Sequence, residues 1–327
     1  MANTASINLA NKTFLITGGN SGVGLETARA LVHKNAHVVI ASKTRERGDA
    51  AVQELKQEAS SEAKVDCMQL DLASFDSIRS FAADFNKRNL PLHALLNNAG
   101  VFMPPDDRTE EDFEVQLGIN HFGPFYLTHL LLHNLEQNAP SRIVNHGSIA
   151  ENLGRSDWKD LLTGKGSKDN RSGLTIYGTT KLFNIMLARE FARRLEGKGI
   201  DCFATHPGIA DTRLYPKLDF SKPEAKAFNA FESIYNQSAE DGAISLLRAA
   251  TDPSLTGQGF KYFGAWYKGP LLIHTGNEKE RTPSNPIAND MEACKELYEM
   301  TLDIIAQKAP DVKGLAMPEP KVAAQAT

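Results

Sequence analysis

Tyr177 and Lys181 are the residues whose types and spacing most clearly allow acid–base chemistry. Residues four apart on a helix share one face, with about 5–6 Å between their Cβ atoms. An ammonium close to a phenol favours the phenolate and lowers the phenol pKa from its usual value of about 10. The spacing therefore predicts that Tyr177 acts as a proton donor near neutral pH. An amphipathic helix with a core Tyr and a solvated Lys would show the same spacing, so the pair needs support from elsewhere in the chain.

A glycine-rich run near the N-terminus, Thr17–Gly24, supplies that support. It follows a short apolar run, Phe14–Ile16, and precedes apolar residues at helical spacing and a second apolar run, His37–Ala41. This order of strand, turn, helix and strand directs helix N-terminal amides at a pyrophosphate. Glycine is needed where a side chain would collide with the phosphate. The run predicts a dinucleotide site, and a loop that only turns the chain is the alternative.

The end of the second apolar run indicates which dinucleotide binds. An acidic residue at this place binds the ribose 2′-hydroxyl of NAD, whereas a basic one accommodates the 2′-phosphate of NADP. The chain continues here without an acid before Glu46, as Ser42, Lys43, Thr44 and Arg45. We therefore expect NADP(H), with the two basic residues as candidates for the phosphate and the two hydroxyls as helpers. A polar loop with solvated charges is the alternative.

Composition and charge exclude several classes of function. With 327 residues, 41% of them hydrophobic, the chain can bury a full core, and its net charge of −4 gives no electrostatic case for binding nucleic acid or an anionic membrane. Cys67, Cys202 and Cys294 lie far apart without metal-type spacing, which predicts a reducing compartment, no disulfide framework and no metal site. The first strand begins too close to Met1 for a signal peptide or anchor, so we expect a cytoplasmic protein.

The segment Val115–Leu135 carries no formally charged side chain and has the length of a membrane-spanning helix. It also contains Gln116, Asn120, three histidines and an internal Gly123-Pro124. So many polar groups predict a long buried helix of a soluble domain rather than a membrane span.

Strand-like and helix-like stretches alternate through the first two thirds of the chain. Further apolar runs are Val65–Leu70, Ala94–Leu96, Arg142–Asn145 and Asp201–Ala204, and helical stretches are Asp76–Arg88 and Tyr177–Glu196. The alternation predicts an α/β fold: a doubly wound parallel sheet of Rossmann type with helices on both faces.

We expect one dinucleotide-binding catalytic domain over residues 1–316. Its core spans 11–212, residues 213–316 form a C-terminal elaboration of the substrate site, and the tail 317–327 is predicted to be disordered. Glu151–Ile176 and the aromatic-rich Leu214–Ile234 are expected to cover the substrate and exclude water. Packing of these aromatics on the sheet is the alternative.

Over residues 11–212 the chain resembles the short-chain dehydrogenase/reductase family, compact type, because several motifs agree in order and spacing. Thr17–Gly24 resembles its phosphate loop, Asp71-Leu72 its adenine-holding pair, Asn97–Gly100 its fourth-strand motif, and Pro207-Gly208 with Thr212 its nicotinamide-binding turn. The resemblance implies cofactor contacts by Gly18, Asn20, Ser21, Gly22, Val23, Gly24, Ser42, Lys43, Asp71, Leu72, Asn98, Ala99, Gly100, Tyr177, Lys181, Pro207, Gly208 and Thr212. It also implies a catalytic tetrad of Asn120, Ser148, Tyr177 and Lys181.

Two features are similar to one branch of this family. The separation between Ser148 and Tyr177 is longer than usual, and Pro283–Ala288 followed by Leu297–Glu299 is similar to the tail of retinol dehydrogenase-like and WW-domain oxidoreductase-like members. Protochlorophyllide reductases lie nearby. His146-Gly147-Ser148 departs from the usual Val-Ser-Ser, and the expected lack of an anchor puts retinoid processing at a membrane in doubt.

The resemblance implies a role for each member of the tetrad. Tyr177 would exchange a proton with the substrate oxygen, Ser148 would hydrogen-bond that oxygen, Lys181 would acidify the phenol and bind the nicotinamide ribose, and Asn120 would position a relay water. A Ser that caps a helix and an Asn that satisfies a bulge are the structural alternatives.

The chain is thus expected to be an NADP(H)-dependent carbonyl reductase or alcohol dehydrogenase acting on a small hydrophobic substrate. Two further functions are considered: double-bond reduction by the same Tyr and Lys, and NADP sensing without turnover. The intact set of Ser148, Tyr177 and Lys181 argues against a sensor. The sequence leaves open the substrate and whether the chain forms a homo-oligomer.

Overall fold

The computed structural model describes residues 7–105, 108–164, 172–208, 238–264, 267–268, 273–274 and 279–320. Its strands are β1 (Thr13–Thr17), β2 (His37–Ser42), β3 (Lys64–Gln69), β4 (Ala94–Asn97), β5 (Ser141–His146), β6 (Ile200–His206), β7 (Phe260–Gly264), β8 (Tyr267–Lys268), β9 (Ile273–His274) and β10 (Lys279–Glu280). Its helices are α1 (Gly22–Val32), α2 (Arg45–Glu58), α3 (Phe75–Lys87), α4 (Val115–Leu117), α5 (Gly123–Gln137), α6 (Trp158–Leu162), α7 (Gly173–Arg194), α8 (Ala239–Thr251) and α9 (Met291–Ala306).

Eight strands form one sheet in the order β10-β7-β6-β5-β4-β1-β2-β3, and all pairings are parallel except that of β10 with β7. Successive residues of a strand point to opposite faces. In β2, Val38 and Ile40 pack with α1, α2 and α8 on one face, whereas Val39 and Ala41 join the cluster with α3, α5, α7 and α9 on the other. The predicted doubly wound parallel sheet is confirmed.

The sheet continues beyond the predicted core boundary at residue 212. Strand β7 pairs with β6, β10 extends the edge, and α8 packs on the same face as α1. The sequence prediction did not include β7, although its central residues, Tyr262 and Phe263, are buried on opposite faces of the sheet.

The uncharged segment that begins at Val115 forms the predicted buried helix, with one irregular turn. A π-helical turn, Gly118–Phe122, joins α4 to α5, and such turns inside α-helices are frequent at functional sites. Within the ranges described above, no helix combines the length and apolar character needed to cross a membrane.

The prediction that disorder begins at residue 317 is wrong. Met317 is buried, its N–H donates to Tyr298 Oη at 2.8 Å, and its carbonyl accepts from Arg194 Nη1 at 3.0 Å. Glu319 forms an ion pair with Arg194 at 2.7 Å. A proline- and alanine-rich composition gave no sign of these partners, because they belong to distant helices. Residues 321–327 lie outside the described part of the chain.

Candidate active site

A cavity of about 570 Å³ opens at the carboxyl ends of the parallel strands. It lies where the strand order reverses between β1 and β4, the usual ligand position in such sheets. The predicted site residues that line it are Gly18, Asn20, Ser21, Gly22, Val23, Gly24, Ser42, Lys43, Asp71, Leu72, Asn98, Ala99, Gly100, Ser148, Tyr177, Lys181, Pro207 and Gly208. Asn120 stands behind this wall. Thr212 and the segment Leu214–Ile234 fall outside the described residues.

The glycine loop between β1 and α1 leaves no room for side chains at its closest approaches. Gly18 and Gly22 have φ of 67° and 53°, the left-handed region that favours glycine. A Cβ on Gly24 would lie 2.5 Å from the Gly18 carbonyl oxygen and 2.5 Å from Asn98 Nδ2. The Asn98 amide in turn donates to the Thr17 carbonyl at 2.9 Å. These contacts hold the N-terminus of α1 open towards the cavity, as a dinucleotide pyrophosphate requires.

At the end of β2 the structure changes the expected set of basic residues. Lys43 lines the cavity, with its ammonium 3.0 Å from Asp71 Oδ2. Arg45 instead turns to Asp49, with which it pairs at 3.0 Å, and Arg47 lines the cavity in its place. The reason is that α2 begins at Arg45, so residues two apart lie on different faces of the helix.

Two hydroxyls at this end of the cavity differ in their hydrogen bonding. Ser42 Oγ is buried and donates to the Thr44 carbonyl at 2.9 Å, so its proton is already used within the loop. Thr44 Oγ1 is buried and has no hydrogen-bond partner among the residues described. A buried polar atom without a partner is costly, and Thr44 lines the cavity, so its hydroxyl fits a ligand that supplies the missing partner.

Tyr177 and Lys181 lie one turn apart on α7, and both are almost fully buried. The Lys181 ammonium lies 5.5 Å from the centre of the Tyr177 ring and donates to the His146 carbonyl at 3.2 Å. The Ser148 hydroxyl hydrogen-bonds the phenol. Three polar groups on two elements, the end of β5 and α7, thus meet at one point of the cavity.

Burial dominates the titration of this pair. It raises the pKa of Tyr177 to about 12, against a smaller lowering by the hydrogen bond from Ser148, and it lowers the pKa of Lys181 to about 8. The expectation that Lys181 by itself brings the phenol pKa below its ordinary value is therefore wrong. Spacing along a helix shows which groups are neighbours, but it does not show how strongly burial desolvates them.

Asn120 sits in the π-helical turn and binds protein backbone. Its Oδ1 accepts from the Val101 N–H at 2.8 Å, and its Nδ2 donates to the Val101 carbonyl at 2.9 Å. A Cβ on Gly100 would lie 3.1 Å from Lys181 Nζ and 3.3 Å from Asn120 Oδ1, so the two polar atoms flank Gly100. These contacts favour the structural alternative, in which the amide holds the segment after β4. A water-positioning role stays a prediction.

Apolar side chains pack around Tyr177. The Phe102 ring packs edge-on against the Tyr177 ring at 4.8 Å, and Met103, Ala150 and Leu174 complete the cluster. Met103 has a φ of 42°, and its N–H donates to the Gln116 side chain at 3.0 Å. Residues held in this region of φ/ψ space often belong to functional sites.

The predicted substrate wall Glu151–Ile176 is described except for residues 165–171. Trp158 of this segment is buried and packs edge-on against Phe183 of α7 at 5.8 Å. Trp158 therefore fixes the segment to the core.

His206, at the end of β6, shapes the turn predicted to hold the nicotinamide. Its Nδ1 lies 3.0 Å from the Gly208 N–H, and its Nε2 lies 2.8 Å from Arg281 Nη1. Burial, helped by Arg281, holds the pKa of His206 well below its usual range, so the ring is neutral. Gly264 must be glycine here, because a Cβ would lie 2.0 Å from the imidazole.

Sequence reasoning missed several residues that line the cavity. They are Arg47, Val101, Pro104, Pro105, Val115, Ile119, His146 and Gly147. His146 and Gly147 directly precede Ser148, so the position of the Ser was their only signal. The others are ordinary apolar or surface residues whose role depends on how the chain folds around them.

The sequence model described as short chain dehydrogenase matches residues 12–160. Human retinol dehydrogenase 12 is 33% identical over 300 residues, which cover 92% of this chain and 88% of that protein. Mouse retinol dehydrogenase 11 is 41% identical over 211 residues, and this match spans only 65% of its length.

Solved structures show the same fold. An uncharacterised protein of Mycobacterium paratuberculosis superposes with a TM-score of 0.68 at 28% identity, covering 96% of this chain and 98% of that one. A short-chain dehydrogenase from Sphingobium yanoikuyae in complex with NADPH gives a TM-score of 0.55 at 22% identity, over 72% of this chain and 83% of that one. Together with the glycine cradle and the Ser148, Tyr177 and Lys181 cluster, these similarities place the chain in the short-chain dehydrogenase/reductase family, in its retinol dehydrogenase-like branch.

Proposed function

We propose that this protein is an NADP(H)-dependent oxidoreductase that transfers a hydride between nicotinamide and the carbonyl or alcohol carbon of a hydrophobic substrate. The observation that carries the proposal is the convergence of the Ser148 hydroxyl, the Tyr177 phenol and the Lys181 ammonium in the cavity that also contains the glycine loop. Hydride transfer to a carbonyl needs a proton at the oxygen that becomes negative. These three groups can supply and stabilise that proton.

The residues present fit a dinucleotide with a 2′-phosphate. The glycine loop offers the N-terminus of α1 to a pyrophosphate, and Lys43, Arg47 and the unpartnered Thr44 hydroxyl stand where the adenosine ribose would lie. Asp71 is the acid near this end of the cavity, and Lys43 already pairs with it. The relative that is solved with NADPH supports this choice of cofactor as an analogy of fold.

Each member of the cluster has a distinct part. Tyr177, whose pKa is raised to about 12, holds its proton at neutral pH and can donate it to a substrate oxygen. Ser148 hydrogen-bonds the phenol and can reach the same oxygen as a second donor. Lys181 places a cation near the phenol, and NADPH, when bound, would supply the hydride. The apolar cluster around Phe102 favours a hydrophobic substrate beside these groups.

A substrate panel tests the function. Purified protein would be given NADPH with ketones, aldehydes including retinal, and enones, and NADP⁺ with the matching alcohols including retinol, while cofactor absorbance is followed. We expect turnover of hydrophobic carbonyls or alcohols. Turnover of enones alone, with product analysis showing a reduced double bond, would point to the double-bond reductase. Tight NADPH binding without turnover of any compound would favour the sensor.

Cofactor preference should depend on Lys43 and Arg47 together. Each can form a charge-assisted contact with the 2′-phosphate, and loss of a hydrogen bond to a charged group costs about 1.5–3 kcal/mol. We therefore expect the double variant Lys43→Ala/Arg47→Ala to weaken NADPH binding by at least about 10- to 100-fold, with NADH binding nearly unchanged. Titration of cofactor fluorescence would measure both dissociation constants.

Arg45→Ala is the matched control for this experiment, because Arg45 is equally basic and close in sequence but pairs with Asp49 away from the cavity. It should leave both constants unchanged. A wild-type protein that prefers NADH, or a double variant that discriminates as well as the wild type, would show the NADP assignment to be wrong.

A further inference from the structure

The motif Pro283–Ala288, which we call the C-terminal clasp, has no part in the proposed chemistry, yet it lies against the active site. It follows β10, and its last residues enter a 3₁₀ turn, Pro286–Asn289, before α9. Pro283, Asn285 and Ala288 are buried. Asn285 binds the 3₁₀ turn Ile149–Leu153, which begins directly after Ser148.

Four hydrogen bonds join the clasp to the chain just after Ser148. The Glu151 carboxylate accepts from the Ser284 N–H at 2.9 Å and from the Asn285 N–H at 3.1 Å. In return, Asn285 Nδ2 donates to the carbonyls of Glu151 at 3.2 Å and Gly154 at 2.9 Å. Glu151 and Asn285 are 2% and 6% exposed. Because water cannot replace these partners, losing one leaves buried polar groups unpaired.

The same turn also contacts α7, the helix that carries Tyr177. A Cβ on Gly178 would lie 2.5 Å from the Ala150 carbonyl oxygen and 2.9 Å from Leu153 Cβ. Gly178 is therefore a contact point between α7 and the turn, next in sequence to Tyr177. The turn thus contacts both α7 and the clasp, and Ser148 is its N-cap residue, accepting from the Ala150 N–H at 3.2 Å.

We infer that Asn285 and Glu151 are positioning residues, which hold the Ser148 turn against α7 and so fix the Ser148 hydroxyl relative to the Tyr177 phenol. The inference rests on the proposed function for the role of Ser148 in turnover. The clasp touches neither the glycine loop nor the adenosine end of the cavity. Its loss should therefore act on turnover and spare cofactor affinity.

The decisive experiment is a double-mutant cycle of Asn285→Ala and Ser148→Ala, with kcat and the NADPH dissociation constant measured for all four proteins. Because small misplacements of reacting groups are costly, Asn285→Ala alone should lower kcat by about 10- to 100-fold, with the NADPH constant unchanged. In the Ser148→Ala background the same substitution should lower kcat no further, since the group that the clasp positions is gone. Equal losses in both backgrounds would overturn the inference.

Hydrogen exchange supplies a readout that needs no substrate. Asn285→Ala should increase exchange of the amides of residues 149–154 while leaving those of β1–β3 protected as in the wild type. Unchanged exchange in residues 149–154 would also overturn the inference. Glu151→Gln removes the carboxylate charge but keeps one acceptor, so it gives the same test in a milder form should Asn285→Ala fail to fold.

Glu296→Gln is the matched control. Glu296 on α9 pairs with Lys159 on α6 at 2.5 Å, an exposed link between the C-terminal region and the segment that follows the turn. Its loss should change neither kcat nor exchange at residues 149–154. If wild-type protein turns over no member of the substrate panel, the proposed function fails, whereas the exchange result still decides whether the clasp holds the turn.

Discussion

Replacing Tyr177 with Phe should lower kcat by about 10²-fold or more, the range for loss of a general acid or base. The substitution removes one hydroxyl, the one to which Ser148 is hydrogen-bonded. The ring itself should stay in place, because it packs edge-on against Phe102 at 4.8 Å and is almost fully buried. Steady-state kinetics with the best substrate of the panel, in both directions, would measure the effect.

NADPH affinity is the internal reference for this variant. Lys181, the glycine loop and the basic residues at the end of β2 remain, so the dissociation constant should change little. Tyr126→Phe is the matched control, since Tyr126 is equally buried but its hydroxyl donates to Asp311 at 2.6 Å, away from the cavity. If Tyr177→Phe keeps most of the wild-type rate while Tyr126→Phe behaves as expected, the proton donor has been misassigned.

The high pKa of Tyr177 affects carbonyl reduction and alcohol oxidation differently. A phenol whose pKa is raised to about 12 is protonated throughout the neutral range and is ready to donate, as carbonyl reduction requires. Alcohol oxidation needs the phenolate, which burial disfavours in the protein by itself. A positive charge next to the phenol would restore the balance, and the nicotinamide ring is positively charged in the oxidised cofactor.

The fold could be predicted from the sequence because its signals are local. The apolar runs before and after the glycine loop became β1 and β2 with ends shifted by at most one residue, since a buried parallel strand is a continuous apolar run. The strand β7 and the contacts of Met317 with Arg194 and Tyr298 were missed. Their stability comes from distant partners, β6 for the strand and Arg194 with Tyr298 for the tail.

The site was predictable where spacing alone determines neighbours, as for Tyr177 and Lys181 on one helix. The site was not predictable where a polar side chain can bind either a ligand or another part of the protein. Asn120 binds the backbone of Val101, and Arg45 turns to Asp49. A polar residue forms whichever contact the fold brings within reach, and the sequence does not show that distance.

Lys181→Met should lower kcat/KM by about 10²-fold or more, because it removes a buried cation from the active site. The same substitution should also make the protein more stable. Burial lowers the pKa of Lys181 to about 8. Relative to an ordinary Lys, whose pKa is about 10.4, this corresponds to a cost of about 3 kcal/mol for keeping the charge at neutral pH. Met has a similar length and no charge. The His146 carbonyl, which accepts from Lys181, keeps a second donor in Asn184 Nδ2 at 3.0 Å.

The pH dependence of the free energy of unfolding distinguishes the stability gained by removing the buried charge from stability gained by side-chain repacking. Since the folded-state pKa of Lys181, about 8, lies below its unfolded value, the unfolded chain binds the extra proton between the two. The wild-type free energy of unfolding should therefore rise, through this group, as pH increases from about 8 to about 10.4. Lys181→Met lacks that rise, so its advantage should be full below pH 8 and disappear at the upper end of the window.

Denaturant titrations of wild type and Lys181→Met at several pH values would measure both curves. Lys87→Met is the control, because Lys87 is 76% exposed and forms only a surface ion pair, which contributes little to stability. It should change neither kcat/KM nor the pH slope. An inactive Lys181→Met with no gain in stability at neutral pH would mean that the ammonium is solvated in the folded protein. An active one would remove Lys181 from the proposed chemistry. Loss of activity together with a gain in stability that fades above pH 8 is expected only if this buried charge is kept for its function.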